Sequence, residues 1–209
     1  MNKSNSGGRS MVEMLGVLAV VGILSAGGLA GYSKAMKQHR LNKQTEQISS
    51  FIATIVNNLD AIADSPGMSN VTPYLIRLGD IPADMIKDGN DSVIYDAFGN
   101  SMYVYHDTVA GRTITLRANI TAMNQNNDLA LLTCRNYILA AQPFSFAINV
   151  LEFLSGYGTE DAISAFLMGD RGCSATNCLA KTTYSAIDNF CVKHIGSSHE
   201  VEFKIKFSY

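Results

Sequence analysis

Residues able to do chemistry cluster near the carboxy terminus. Cys173-x4-Cys178-x12-Cys191-x2-His194 sets three thiols and an imidazole at nearly zinc-finger spacing, and Cys134 stands alone upstream. Zinc would need thiolates kept reduced, and it leaves Cys134 unexplained. Four cysteines permit three disulfide pairings with none left over, and an even count in an exported domain favours bridges over metal. Disulfides are therefore expected and a bound metal is not; Cys173, Cys178, Cys191 and His194 form the minor metal alternative. His39, His106, His194 and His199 are scattered outside any serine, cysteine or metal motif. No glycine loop for phosphate follows a strand, and no carboxylate pair announces acid and base roles. Neither catalysis nor a cofactor is expected. A net charge of −2 with 16% charged residues provides no basic face for nucleic acid.

The other chemically notable residue is Glu13. It lies five places after Gly8, and no further charge occurs until Lys34. From Met14 to Ser33 the chain reads MLGVLAVVGILSAGGLAGYS, about the 20 residues that a helix needs to cross a bilayer. A secretory signal peptide cut near Ser25-Ala26-Gly27 is the rival, but Glu13 sits where such a signal is cationic. The helical pattern also continues past the apolar run. Leu41, Ile48, Phe51, Ile52, Ile55, Val56, Leu59 and Ile62 follow at spacings of three and four, which marks an amphipathic helix. Asp64-Ser-Pro66-Gly67 ends it. One helix from about Arg9 to about Ala63 would be roughly 80 Å long. Gly27 and Gly31 form a G-x-x-x-G pair within it, suited to close helix contact in lipid.

The domain organisation follows: residues 1–8 a polar leader, 9–33 the transmembrane half of the helix, 34–65 its amphipathic half, and 66–209 a globular head. The flanking charges oppose an exported head. Lys34, Lys37, Arg40 and Lys43 follow the span, against Lys3, Arg9 and the amino terminus before it, so the positive-inside rule would leave the head in the cytoplasm. The cysteines, and the resemblance below, favour export.

After Pro66 loops are expected, with Pro73, Pro82 and Asp88-Gly-Asn-Asp91 marking turns. Ser101–His106 and Arg112–Ile120 alternate as strands joined by a link containing Gly111, and Val201–Tyr209 alternates most clearly. Helices are expected over about Asp128–Ala141, Ser145–Leu154 and Thr159–Met168, with Asp128 and Thr159 as caps and Pro143 separating the first two. The fold class is therefore α+β, with the stripe of the long helix packed on an antiparallel sheet. Apolar surplus in these helical segments would serve as a lateral surface between subunits.

Gly8-Arg-Ser-Met-Val-Glu13-Met-Leu-Gly-Val-Leu-Ala-Val-Val-Gly-Ile-Leu-Ser-Ala26 resembles the class III signal of type IV pilins and of type II secretion pseudopilins. The likeness covers about the first fifty residues. Tyr95-Asp96-Ala97-Phe98-Gly99-Asn100 is similar to the Asp-x-aromatic-Gly turn that opens the sheet in many of these proteins. The resemblance implies a pilin fold, cleavage by a prepilin peptidase between Gly8 and Arg9, and N-methylation of Arg9, although the family usually has phenylalanine or methionine there. Glu13 becomes the glutamate at the fifth mature position. It would pair with the amino group freed on Arg9 of an adjacent subunit and so set the stagger between subunits, because an unpaired carboxylate entering lipid is costly; the plainer role is stabilisation by the helix dipole. The family's long carboxy-terminal disulfide loop suggests Cys134 with Cys191, leaving Cys173 with Cys178 around Ser174 to Asn177.

What the resemblance implies is a type IV pilus-like subunit. It would be held in the inner membrane as a single-pass precursor with its head in the periplasm. An inner-membrane assembly platform would then build it into a homo-oligomeric filament at the cell surface or spanning the periplasm. The amino terminus is shared by major pilins, minor pilins and pseudopilins, and does not distinguish cell adhesion, retraction, DNA uptake or secretion. From a different class, a single-pass anchor for a periplasmic binding or enzymatic domain is the alternative.

Overall fold

A computed structural model describes residues 11–64, 69–107, 113–120, 127–155, 163–174, 177–195, 201–207 and 209. The chain divides into two compact units between His39 and Arg40. In the first unit the described residues belong to α1 (Met11–Asn57), where every side chain from Met11 to Arg40 is exposed. The helix contains an apolar segment long enough to cross a membrane.

The second unit begins on the same helix, and burial starts at Leu41. Leu41, Gln44, Ile48, Phe51, Ile52 and Ile55 form its buried stripe, at the spacing of one helix face. The single helix expected to reach Ala63 instead ends at Asn57. Asn58 Nδ2 donates to the Thr54 carbonyl at 2.8 Å, while its backbone N–H turns to Ile55 O at 3.1 Å. A side chain competing for the backbone ladder in this way ends a helix. A short helix, α2 (Leu59–Ala63), follows and buries Ile62.

Where loops are expected after Pro66, β1 (Ser69–Asn70) leads into α3 (Thr72–Leu78), with Pro73 in its first turn. Proline is tolerated there because the first turn has no use for its missing N–H. Gly79, at φ +81°, closes the helix. A 3₁₀ turn at Ala83–Met85 precedes β2 (Ile86–Lys87) and β3 (Asn90–Tyr95). Then come β4 (Ser101–Asp107), β5 (Thr113–Ile120) and α4 (Asn127–Ala141). Asp128, expected as the cap of α4, lies inside its first turn.

The segments Ser145–Leu154 and Thr159–Met168, expected to be helical, contain strands: β6 (Ile148–Ser155) and β7 (Ile163–Met168). Residues 159–162 lie outside the described residues. Leu151 and Phe153 are buried with Glu152 between them on the other face, the period of two that a helix cannot satisfy. Pro143 does close α4, within a 3₁₀ turn at Gln142–Phe144. After α5 (Tyr184–His194) comes β8 (Val201–Phe207).

The sheet order is β2-β3-β4-β5-β8-β6-β7, with β1 paired to β4 and neighbouring strands antiparallel throughout. The last strand therefore sits in the middle, between β5 and β6. Val201, Phe203, Ile205 and Phe207 turn to the core, where Phe203 stacks on Tyr137 of α4 and meets Phe153 edge-on, both at 5.0 Å. Glu202, Lys204 and Lys206 line the opposite face, where Lys206 meets Glu152 at 2.6 Å and Lys204 meets Glu202 at 3.2 Å.

At the end of β7 the backbone passes against β6 too closely for any side chain. A Cβ on Gly169 would lie 1.6 Å from the Ile148 carbonyl oxygen, and a backbone atom has no rotamer by which to yield. Gly172 differs, because its added Cβ would meet only the flexible Met168 Cε at 2.7 Å. Gly169→Ala should therefore destabilise the head by about 3 kcal/mol or more and Gly172→Ala by less than about 1 kcal/mol. Urea unfolding of the detergent-solubilised chain followed by circular dichroism measures both, and equal effects would contradict the contact.

Candidate functional site

Glu13 lies exposed in the first turn of α1. With Gly16, Val17, Val20 and Val21 it lines a shallow groove along one face of the helix, and those spacings of three and one repeat the helical period. A Cβ placed on Gly27 or Gly31 would meet nothing within 4 Å. Gly8 and Arg9 lie outside the described residues, so the cleavage and methylation positions have no structural description.

In the head, the amphipathic half of α1 is held at a buried carboxylate. Asp96, 5% exposed, opens the turn before β4. Its Oδ1 accepts the backbone N–H groups of Phe98 and Asn100, both at 2.9 Å. Its Oδ2 accepts Gln44 Nε2 from α1 at 2.6 Å, Asn100 Nδ2 at 2.8 Å and Tyr137 Oη from α4 at 3.3 Å. Gln44 in turn accepts Asn136 Nδ2 from α4 at 2.9 Å. Gly99, at φ +84°, lets the chain reverse so that its N–H reaches Asp96 O at 2.9 Å. Five uncharged donors from three elements thus converge on two oxygens. Burial first, then the charge and hydrogen bond of Asp96, push the Tyr137 phenol well above its ordinary 10, so Tyr137 stays a donor.

A second α1 contact lies nearby. Lys43 forms an ion pair with Asp84, and Gln47 Nε2 donates to the same Oδ2 at 3.1 Å. The hydrogen bond from Lys43 is the chief cause that lowers the Asp84 carboxyl below its usual range. Both partners are more than two-fifths exposed, so solvent screening leaves this pair a small contribution.

The cysteines form two bridges, Cys134 to Cys191 and Cys173 to Cys178. The first is fully buried and ties α4 to α5, beside the Arg135 to Asp188 ion pair between the same helices. Its residues are 57 apart in sequence, and closing a loop of that length contributes about 4 kcal/mol in the chain-entropy account. The second loop seats its backbone on β7, with Met168 N–H donating to Asn177 O at 2.7 Å and Leu179 N–H to Met168 O at 2.8 Å. Gln142 Nε2 fastens the following turn by donating to Thr182 O at 2.8 Å. Three thiols of the metal alternative are thus bonded to sulfur. His194, its fourth member, packs between Phe190 and Phe153, at 4.9 and 6.5 Å. Among the described residues no group of three or more His, Cys, Asp or Glu is placed to hold a metal.

His39 is exposed on α1, and His106 is buried on β4 with Nε2 3.4 Å from Tyr209 Oη. His199 lies outside the described residues. Sequence reasoning missed the convergence of Gln44, Asn136 and Tyr137 on Asp96. The Thr183 cap of α5, which accepts Ala186 N–H at 3.3 Å, was also missed, its one local signal being a threonine at a helix start. No family model, curated protein or solved structure matches the chain.

Asp96→Ala leaves five donors without an acceptor and should lower head stability by at least about 3 kcal/mol. A double-mutant cycle with Gln44→Ala should show coupling of about 1 kcal/mol or more, and strict additivity would contradict the shared site. A pH effect follows from His194, which burial first and Lys193 second hold below its ordinary 6.5. The folded state favours neutral imidazole. The stability it confers is complete above about pH 6.5 and falls as the pH drops towards the lowered value. Unfolding midpoints between pH 5 and 8 should therefore decline less steeply towards acid in His194→Gln than in the wild type.

Proposed function

We propose that the chain is a structural subunit of a type IV pilus-like filament, with the pilin fold that its amino terminus implies. One observation carries this reading. Within a single helix, α1, the residues up to Arg40 are unburied and the run up to Ser33 is apolar enough for lipid, while those from Leu41 form one stripe within an α+β head. A membrane anchor needs only the former. A helix that also packs a domain and carries Glu13 in its first turn suits a subunit that leaves lipid for a bundle of identical helices.

On this reading a prepilin peptidase cuts between Gly8 and Arg9, and the new terminus is N-methylated. The head resides in the periplasm, where both disulfides are stable, until a membrane platform assembles the filament. Glu13 is then desolvated among apolar helices and takes the amino group of a neighbouring subunit as its partner. The work is assembly and display, without turnover. The minor pilin and pseudopilin readings share all these features. The Lys34, Lys37, Arg40 and Lys43 cluster opposes this orientation, since the positive-inside rule would leave the head in the cytoplasm.

Intact-mass measurement of membrane-extracted protein should find the chain short by residues 1–8, and an uncut chain would overturn the proposal. Glu13→Ala should leave processing and membrane insertion intact but cut filament incorporation on the order of tenfold, the loss of about 1.4 kcal/mol per subunit contact. Unchanged incorporation would remove the pairing role.

A further inference from the structure

We propose that Asn90 is an acceptor site for N-linked glycosylation, presented on the hairpin between β2 and β3. The chain contains four Asn-x-Ser/Thr triplets without proline at the middle position: Asn2-Lys-Ser4 in the polar leader, which lies outside the described residues, and Asn70-Val-Thr72, Asn90-Asp-Ser92 and Asn119-Ile-Thr121 in the head. Such a triplet is a candidate acceptor only where an enzyme can reach both the amide and the hydroxyl two residues later, which usually means a surface loop. The structure separates the three in the head on this criterion.

Asn119 belongs to β5, whose backbone is paired on both sides, with Ser101 of β4 and Glu202 of β8 opposite Asn119 itself. Reaching it would require opening the middle of the sheet. Asn70 has both ends of its amide in use: Oδ1 accepts Thr72 N–H at 2.9 Å and Nδ2 donates to Ser92 O at 2.7 Å. Its hydroxyl partner is less accessible still. Thr72 is fully buried, and its Oγ1 accepts Val104 N–H at 2.8 Å.

Asn90 meets the criterion. Every residue from Lys87 to Ser92 is exposed, and Gly89, at φ +78°, makes the reversal that lifts the tip. Asn90 Oδ1 accepts Ser92 N–H at 3.1 Å, which folds the triplet so that the amide and the Ser92 hydroxyl lie on one short arc of chain. Among the described residues Asn90 Nδ2 has no acceptor. Asp88 and Asp91 flank the amide with carboxylates, offering a basic enzyme pocket two charged contacts.

The co-substrate is a lipid-diphosphate-linked oligosaccharide. Asn90 Nδ2 forms a bond to the anomeric carbon, and the bond from that carbon to the diphosphate oxygen breaks. The lipid diphosphate leaves with the electron pair, and one Nδ2 proton passes to the enzyme's base. The modified tip would coat one end of the sheet with carbohydrate. The site requires an exported head and so rests on the reading above.

The test uses the detergent-solubilised full chain with a purified bacterial single-subunit oligosaccharyltransferase and its lipid-linked oligosaccharide. Trypsin releases residues 88–112, in which Asn90 has the only triplet. Mass spectrometry should find the glycan on that peptide, lost in Asn90→Gln and Ser92→Ala, kept in Ser92→Thr, and absent from Asn70 and Asn119. An unmodified Asn90 beside a modified control peptide, or equal occupancy at Asn70, Asn90 and Asn119 in the folded chain, overturns the proposal. Because the enzyme is supplied, these outcomes do not depend on the compartment. Alkylation of the cysteines in protein taken from cells tests export separately, with free thiols counting against the exported head alone.

Discussion

The Asp96 carboxylate is the constraint on which the arrangement of the head depends. Burying a carboxylate among apolar residues is costly unless its lone pairs are filled, and no single element here could fill them. The turn itself supplies three donors, α1 supplies Gln44 and α4 supplies Tyr137. An apolar core holds its helices against a sheet with little preference for axial position, since one leucine can replace another in a groove. Hydrogen bonds of 2.6 to 3.3 Å have no such latitude. Asp96 therefore fixes where along α1 the head is attached, and Gln44 passes that register to α4 through Asn136.

The same logic of distant partners governs the sheet. β8 completes both halves, pairing Ile114 through Ile120 on one side and Ile148 through Ser155 on the other. Contacts of such sequence separation form late and at an entropic cost. The buried bridge between Cys134 and Cys191 shortens that search. It ties α4 to α5, and α5 ends only seven residues before β8 begins, so closing the bridge delivers the last strand to the gap it must fill.

How much of this was legible in the sequence depended on how far each element's partners lay. β4, β5 and β8 alternate strictly and read as strands. The stripe of α1 reads as a helix face at Ile48, Phe51, Ile52 and Ile55. Around Phe144 to Leu154 two periods fit, because Ile148, Leu151 and Leu154 also suit a helix. The choice went to β through pairing with β8, a strand some fifty residues away that no local pattern contains. Asp96 reads as an ordinary turn residue for the same reason. Its glycine and its spacing to Asn100 are local, but Gln44 lies 52 residues before it and Tyr137 41 after.

A subunit that polymerises through one surface must keep its other surfaces from pairing, and sheet edges are the chief hazard. The two ends of this sheet meet it differently. β2 is only two residues long and leads into a charged, glycine-turned tip, with Lys87 lying 3.6 Å over the ring of Tyr95. β7 is longer and carries exposed Phe166, a more dangerous edge. There the Cys173 to Cys178 loop lies alongside the strand end, and Asn177 and Leu179 take the outward hydrogen bonds of Met168. Gly169 lets that loop leave β7 without striking Ile148. Backbone bonds from the residues around Cys178 thus occupy the carboxy-terminal end of that edge. On the filament reading α1 is the element through which one copy meets the next.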